Sequence, residues 1–376
     1  MFGPARRVTP SCRPQAKIFR RCVLKIAKAF VTGGTGFIGA RLVKRLTERG
    51  VDVTCLVRQQ SNMQRLEKLP CQLVYGDLRD PALTLAGIAQ CDVLFHVAAM
   101  KNAGRVKKIL KVNRDSAQHL FDAILRSSAS PRVIQVSTLA ASGSSSKDRP
   151  RIESDQSKPV SFYGRSKLES DRVAVLYADR MPVSIVRPPI VLGQGDSNGL
   201  KMFKLLQKFN CHLVPGLITR RYSVIHVDDL VEALICVANQ GQPIPASSED
   251  PIGEGVYFAA SQQLSYADLG RQIGQALGRT RTKCLHIARP FFWSISAVNT
   301  LWGRITDQPQ LLNLDKYREA VAGDWTCSSA KLFNETDFSL PVPFATRLQQ
   351  TVQWYQSQGW LDHVQEHYTG NVSRTS

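Results

Sequence analysis

The chain has 376 residues, and 43% of them are hydrophobic, which is enough apolar material to bury a large core. Its nine cysteines are scattered and form no Cys-x-x-Cys pair, which argues against a disulfide framework and a zinc site. This cysteine usage is typical of reduced thiols in a cytoplasmic protein. The seven histidines show no ligand spacing, so we expect no metal.

The net charge of +19 is partly concentrated at the N-terminus, where residues 1–28 contain eight Lys/Arg and no acid. We interpret residues 1–27 as a disordered basic extension, with a translation-start artefact and a transit-like segment as alternatives. The stretch lacks the apolar region of a secretory signal. No basic helix or aromatic-interleaved patch follows it, so we expect no nucleic-acid partner.

A strand and a glycine-rich loop come first along the chain. The short apolar run Ala29-Phe30-Val31 is typical of a buried parallel strand, and the loop Thr32-Gly33-Gly34-Thr35-Gly36-Phe37-Ile38-Gly39 follows it. Glycines at this spacing permit a tight turn, close approach of the backbone to a pyrophosphate, and close packing of the next helix. That helix would present its unpaired N–H groups and positive dipole end to phosphates. The order of these elements predicts a dinucleotide site.

The end of the second predicted strand, Val51 to Val57, bears on the choice of dinucleotide. An NAD site usually has a carboxylate about 20 residues beyond the glycines, to hold the ribose 2′-hydroxyl. Here Val57 and Arg58 occupy that region, and an arginine suits a 2′-phosphate. We therefore expect NADP(H) in preference to NAD(H). The alternative is that Arg58 is a solvated loop charge.

A tyrosine and a lysine further along the chain have the spacing of a proton-transfer pair. Tyr163 and Lys167 are four residues apart and would share one face of a helix. A tyrosine has a pKa of about 10 in water, and a nearby ammonium should lower it towards neutral pH. The predicted strand Val133 to Val136 ends upstream in Ser137 and Thr138, either of which could hydrogen-bond a reacting oxygen. The alternative is that these hydroxyls only cap the strand end.

Short apolar runs alternate with helical stretches through the first half of the chain. The runs Val51 to Val57, Gln72 to Tyr75, Val93 to Val97, Val133 to Val136 and Val183 to Val186 predict an α/β fold with a Rossmann doubly wound parallel sheet. We expect the nucleotide-binding domain to cover 28–189 and to include a return segment, 222–240. A smaller C-terminal substrate-binding lobe would consist of 190–221 and 241–365, followed by a polar tail, 366–376.

The stretch from Pro290 to Gly303 is rich in aromatic side chains but too short and too polar to span a bilayer. One interpretation is a helix that covers the substrate pocket. The other is a surface that touches a membrane peripherally or admits a lipid-like substrate.

These motifs together resemble the extended short-chain dehydrogenase/reductases, the NAD-dependent epimerase/dehydratase group that includes dihydroflavonol-reductase-like and 3β-hydroxysteroid-dehydrogenase-like enzymes. The resemblance covers the chain from about Lys28 to about Leu361. The matching pieces, in order, are Thr32 to Gly39, Gly76-Asp77-Leu78-Arg79-Asp80, His96-Val97-Ala98-Ala99, Val112-Asn113, Ser137-Thr138, Tyr163 to Lys167, Arg187-Pro188-Pro189 and His226-Val227-Asp228-Asp229.

The resemblance implies a role for each matching position. Tyr163 would be the general acid or base, and Lys167 would bind the nicotinamide ribose and lower the tyrosine pKa. Thr138, or less readily Ser137, would orient the substrate. Other cofactor contacts would come from Thr32, Gly33, Gly36, Phe37, Ile38, Gly39, Asp77, Leu78, Ala98, Ala99, Asn113, Pro188 and Ile190. After Asn113 the chain reads Arg114-Asp115-Ser116-Ala117-Gln118 and departs from the family's usual Gly-Thr pair and asparagine.

The sequence predicts an NAD(P)-dependent oxidoreductase that moves a hydride between a nicotinamide and a carbonyl or alcohol. A nucleotide-sugar epimerase or dehydratase that recycles tightly bound NAD is the alternative. In another class, the chain would be a non-catalytic NADP(H)-binding sensor, although such proteins often lose the tyrosine or the lysine. The substrate would be a small molecule that is sterol-like, flavonoid-like or a nucleotide-sugar, and the resemblance makes a homodimer plausible.

Overall fold

The computed structural model describes residues 26–79, 87–88, 90–100, 106–127, 129–306 and 313–362. The expected extension, apart from residues 26 and 27, and the expected tail 366–376 lie outside this range.

A seven-stranded sheet forms the centre of the first lobe, and all of its neighbouring strands are parallel. Its spatial order is β3-β2-β1-β4-β5-β6-β10, which is the doubly wound order of dinucleotide-binding folds with one strand added. The predicted Rossmann fold is therefore confirmed. The strands are β1 (Lys28–Thr32), β2 (Asp52–Val57), β3 (Gln72–Tyr75), β4 (Val93–His96), β5 (Arg132–Val136), β6 (Val183–Arg187) and β10 (Val256–Phe258).

Helices cover both faces of this sheet, because its central strands are apolar on both sides. Within β1, Val31 packs with the helices of one face and Phe30 with those of the other. The helices α1 (Phe37–Thr47) and α6 (Val227–Gln240) lie on the first face. The opposite face is covered by α2 (Val106–Arg126) and α4 (Phe162–Leu176), and the short helix α3 (Leu139–Ser142) follows β5.

The second lobe has two small sheets and its own apolar core. One sheet joins β7 (Ile190–Leu192), β9 (Arg221–His226) and β11 (Gln262–Ser265), and the other pairs β8 (Cys211–Pro215) with β12 (Lys283–Ile287). Its helices are α5 (Leu200–Phe209), α7 (Tyr266–Ala276), α8 (Arg289–Thr306), α9 (Leu314–Ala322) and α11 (Phe344–Ser357). None of the helices within the described ranges is long and apolar enough to cross a membrane.

The two lobes are more interwoven than the expected boundaries suggest. Strand β10 lies within the expected substrate segment 241–365. It nevertheless pairs with β6 at the edge of the main sheet, where its three apolar residues are buried. Leu332, on α10 (Ala330–Glu335), and Phe338 also pack into the core of the first lobe. Conversely, β9 of the expected return segment joins the three-stranded sheet, whereas α6 packs on the main one.

A cluster of charged side chains links α1, the helix after the glycine loop, to α6 and to α11 of the second lobe. Arg41 of α1 and Arg347 of α11 converge on the acids at the start of α6. The Nη2 atom of Arg41 lies 2.9 Å from Asp228 Oδ2, and the Nη2 atom of Arg347 lies 2.7 Å from Asp229 Oδ1. Because both acids are buried, these charge-assisted hydrogen bonds hold three segments that are far apart in sequence.

Candidate active site

The carboxyl ends of the parallel strands bring the motif residues to one edge of the main sheet. The glycine loop follows β1, Ala98 and Ala99 follow β4, Ser137 and Thr138 follow β5, and Pro188 follows β6. In an open α/β sheet this edge is where ligands bind, at the point where the strand order reverses around β1 and β4.

The glycine loop has the shape that a dinucleotide needs. Gly33 has a φ of +75°, and a Cβ there would lie 2.7 Å from the backbone nitrogen of Ala98, so the loop touches the segment after β4. A Cβ at Gly39 would lie 2.1 Å from the Gly33 carbonyl oxygen. Helix α1 begins at Phe37, and no side chain caps it at Gly36, so its first N–H groups are available to phosphate oxygens. The residues present therefore fit a dinucleotide pyrophosphate.

Thr32 takes part in the support beneath this loop. Its Oγ1 atom lies 2.8 Å from Nδ1 of His96, and the Ala98 N–H reaches the same oxygen at 3.4 Å. Burial and the charge of Lys167 lower the pKa of His96 to about 3, so this histidine is neutral. The side chain of Thr32 therefore turns towards β4 and joins the ends of two central strands.

Charged groups gather where the adenosine end of a dinucleotide would lie. Arg58 follows β2 directly and is exposed. Asp77, after β3, accepts hydrogen bonds of 2.9 and 3.1 Å from the Arg79 guanidinium. The Arg79 hydrogen bond, and more weakly the charge of Arg58, hold the pKa of Asp77 below its usual range. Arg79 is thus a second cation near Arg58 that our sequence reasoning did not single out.

The Tyr163–Lys167 helix packs directly on the segment that carries Thr138. A Cβ at Gly164 would lie 2.3 Å from the carbonyl oxygen of Ala140, so α4 and the turn after β5 are in contact. The Ser161 hydroxyl caps α4 by accepting a 3.0 Å hydrogen bond from the Gly164 N–H. On this helix Tyr163 is partly buried and Lys167 is 1% exposed.

Beneath this helix a buried ion pair joins α4 to two strands. Asp171 Oδ2 accepts hydrogen bonds from Nη2 and Nε of Arg187, at 2.8 and 3.0 Å, and the two side chains are 0% and 1% exposed. The Ser137 hydroxyl donates to the same oxygen at 2.8 Å, and Gln135 Nε2 donates to Oδ1 at 2.9 Å. The Ser137 hydroxyl is therefore committed to Asp171. Thr138 stays partly exposed, with its Oγ1 accepting a 3.3 Å hydrogen bond from the Ala140 N–H.

Asn113 holds the backbone after β4 to the Tyr163 helix. Its Oδ1 accepts a 2.7 Å hydrogen bond from the Met100 N–H, and its Nδ2 donates to the Met100 carbonyl at 3.0 Å. The same Nδ2 donates to Ser166 Oγ at 2.9 Å. Both amide N–H groups are thus used within the protein, so Asn113 positions the backbone after β4 against α4, and its expected cofactor contact stays a prediction.

The electrostatics at Tyr163 differ from the sequence expectation. Burial raises the pKa of the Tyr163 phenol, and the negative charges of Glu319 and Asp171 raise it further. The net shift is therefore opposite in direction to the lowering by Lys167 that the sequence predicts, and that role of Lys167 stays a prediction. In its present surroundings the phenol holds its proton at neutral pH.

Helix α9 of the second lobe closes over the start of α4. The Asp315 carboxylate accepts hydrogen bonds of 2.7 and 3.1 Å from the backbone N–H groups of Phe162 and Tyr163. One turn further, Glu319 Oε2 accepts a 2.7 Å bond from Lys316 Nζ, whereas its Oε1 is buried with no hydrogen-bond partner among the described residues. Neither acid lies in a sequence motif, so sequence reasoning had no signal for them.

Pro188 and Ile190 line the path from the main sheet into the second lobe. The Pro188 carbonyl accepts a 2.8 Å hydrogen bond from the Leu139 N–H, which ties the end of β6 to the turn after Thr138. Ile190 is partly buried against the second core. The described residues contain no group of three or more side chains that could hold a metal ion.

Comparison with known proteins identifies the class that this fold and site define. Residues 29–248 match the model of the NAD dependent epimerase/dehydratase family, and the chain belongs to that family. It is therefore an enzyme of the extended short-chain dehydrogenase/reductase group, as the motifs predicted, and its cofactor is a nicotinamide dinucleotide.

Among individual proteins, the chain is similar to the ceramide reductase of Caulobacter vibrioides, with 28% identity over 88% of this chain and 95% of that protein. It is also similar to the 4-hydroxy-2-methyl-3-oxo-4-farnesyl-3,4-dihydroquinoline-1-oxide ketoreductase of Stigmatella aurantiaca, with 27% identity over 61% of this chain and 67% of that protein. The structure of the Streptomyces venezuelae dTDP-glucose 4,6-dehydratase shares the fold, with a TM-score of 0.68 and 22% identity over 89% of this chain and 99% of that chain.

We predict that replacing Asp171 by alanine lowers the free energy of unfolding by roughly 3–5 kcal/mol, because Arg187 would remain charged and buried without its partner. Arg172→Ala is the matched control on the same helix, since Arg172 pairs with Glu169 at the surface and should contribute less than about 1 kcal/mol. Urea denaturation of the three proteins measures both differences. An Asp171→Ala protein as stable as the control would contradict the assigned role of the pair.

We further predict that Glu319→Gln lowers the pKa of Tyr163, because it removes a negative charge that disfavours the phenolate. Tyrosinate absorbance, taken as the difference between each protein and its Tyr163→Phe counterpart, follows this ionisation. The control is Glu169→Gln, which removes a charge from the exposed side of α4 itself. The same Tyr163 pKa in the wild type and in Glu319→Gln would show that Glu319 does not act on the phenol.

Proposed function

We propose that this enzyme is an NADP(H)-dependent reductase or dehydrogenase that acts on the carbonyl or alcohol of a lipid-like small molecule. The observation that supports it best is the arrangement at one edge of the sheet, where a glycine loop that fits a pyrophosphate follows β1 and the Tyr163–Lys167 helix packs on the Thr138 turn after β5. The bound nicotinamide supplies or accepts the hydride.

The chain's own residues handle the oxygen and its proton in this proposal. During reduction, the Tyr163 hydroxyl donates its proton to the substrate oxygen as the carbonyl carbon gains a hydride, and the resulting tyrosinate regains a proton from solvent. Thr138 hydrogen-bonds the same oxygen, since Ser137 already donates to Asp171. Lys167, buried one turn after Tyr163, binds the nicotinamide ribose and favours the transient phenolate.

The preference for NADP(H) is supported by the cations at the end of β2 and β3. Val57 stands where an NAD-selective site would carry a carboxylate, Arg58 follows it directly, and Arg79 lies close by on Asp77. Guanidinium groups bind a phosphate through charge-assisted, bidentate hydrogen bonds.

A lipid-like substrate is supported by the comparisons and by the second lobe. The two similar reductases named above act, by their names, on a ceramide and on a farnesylated quinoline. Large apolar side chains are exposed on the second lobe near the helix that closes over Tyr163. The cysteines within the described range form no disulfide, which supports a cytoplasmic location.

We predict that Arg58→Ala lowers the ratio of NADPH affinity to NADH affinity by about tenfold or more, because it removes a charged partner of the 2′-phosphate. Gln59→Ala, at the exposed neighbouring position, is the matched control and should leave the ratio unchanged. Titration of each protein with both dinucleotides gives the ratio. Tighter binding of NADH than NADPH by the wild type would refute the preference.

A second experiment separates net redox chemistry from a recycling epimerase or dehydratase. Mass spectrometry identifies the dinucleotide that co-purifies with the protein before and after incubation with a lipid ketone. An exchanging reductase releases NADP⁺ once the ketone is added. NAD that stays bound through turnover would instead identify a nucleotide-sugar epimerase or dehydratase.

A further inference from the structure

Helix α8 presents an apolar face to solvent, opposite to the usual arrangement of a surface helix. Phe291, Ile295, Val298 and Trp302 have the spacing of one helical face and are 71%, 45%, 67% and 60% exposed. Leu301 and Trp293 add to the exposed apolar area. In a globular protein such a stripe normally faces the core.

The opposite side of α8 packs against the rest of the protein. Phe292 and Ser296 are buried, and the Phe292 ring lies 5.6 Å from the ring of Tyr317 on α9. The Leu314 N–H at the start of α9 donates a 2.9 Å hydrogen bond to Thr300 Oγ1. These contacts between α8 and α9 fix the rotation of α8 about its axis, and the apolar stripe therefore points to solvent.

The exposed apolar area continues beyond α8 onto the small sheet. Leu213 and Leu285 are register partners in β8 and β12, and both are exposed. The loop with exposed Leu217 and Ile218 follows β8 and adjoins the start of α8, because the Gly216 N–H donates to the Ile287 carbonyl at 2.8 Å. We call α8 together with Leu213, Leu217, Ile218 and Leu285 the α8 surface.

The segments that build the α8 surface are uniformly basic. Residues 197–227 contain five lysines and arginines and no acid, and residues 269–306 contain six and no acid. Lys208, Lys283 and Arg289 are among those exposed. An apolar face with tryptophans and surrounding cations matches the boundary of an anionic bilayer, where aromatic rings lie at the headgroups and cations meet lipid phosphates.

We propose that the α8 surface docks peripherally on the face of an anionic membrane. A second copy of the chain is a poorer occupant, because a two-fold interface would bring this basic surface against itself. Docking there would hold α9, which contacts the Tyr163 backbone through Asp315, next to the lipid phase. The proposal goes beyond the proposed reaction and does not depend on the identity of the dinucleotide.

Flotation of the full-length protein with vesicles tests this docking. We expect binding to vesicles of phosphatidylcholine mixed with phosphatidylglycerol, weaker binding at high salt, and much weaker binding to phosphatidylcholine alone. The double variant Phe291→Ser/Trp302→Ser should bind at least about tenfold less, because two large apolar contacts are lost. Every variant keeps the basic N-terminal residues, so the difference reports on α8.

Leu176→Ser is the matched control, since Leu176 is 70% exposed but lies at the end of α4. It should float as the wild type does. No flotation of the wild type, or equal flotation of the double variant, would overturn the proposal. Light scattering that shows a dimer lost in the double variant would also overturn it and assign the surface to a second copy. Dinucleotide binding by the same preparations tests the reaction site separately.

Discussion

The buried pairing of Asp171 with Arg187 is the constraint on which the active-site arrangement depends. One carboxylate accepts hydrogen bonds from β5 through Gln135 and Ser137, and from the end of β6 through Arg187. Because Asp171 itself belongs to α4, these contacts set where that helix lies over the sheet edge. The positions of Lys167 and Tyr163, about one and two turns earlier, follow from it. A buried charge that loses its partner strongly destabilises the folded protein, so α4 can move little without breaking the Asp171–Arg187 pair.

The second lobe completes the site from the opposite side. Asp315 accepts from the first N–H groups of α4, where a carboxylate is favoured by the helix dipole. Glu319 adds a negative charge near the phenol, and burial acts in the same direction. Both acids belong to α9, which also carries the contacts that hold α8. The chemistry at Tyr163 and the exposed apolar helix are thus connected through a single element.

The sequence was sufficient to predict the fold, because the fold depends on local patterns. Short apolar runs predicted the strands, and the glycine loop and the Tyr163–Lys167 spacing predicted which sheet edge carries the ligands. Sequence could not reveal that Asp315 contacts Tyr163, since about 150 residues separate them and no motif marks the contact. It also could not predict that β10 returns to the main sheet. The raised pKa of Tyr163 was also beyond the sequence, because it depends on burial and on charges that include Glu319, which is remote in sequence.

The central claim is that Tyr163 donates the proton while the glycine loop holds the dinucleotide. The most direct test measures NADPH binding and the single-turnover rate of NADPH oxidation by a lipid ketone, in wild type and Tyr163→Phe. The account predicts that the variant binds NADPH as the wild type does and transfers hydride at least about a hundredfold more slowly. An unchanged rate in Tyr163→Phe, or no dinucleotide binding by the wild type, would contradict it.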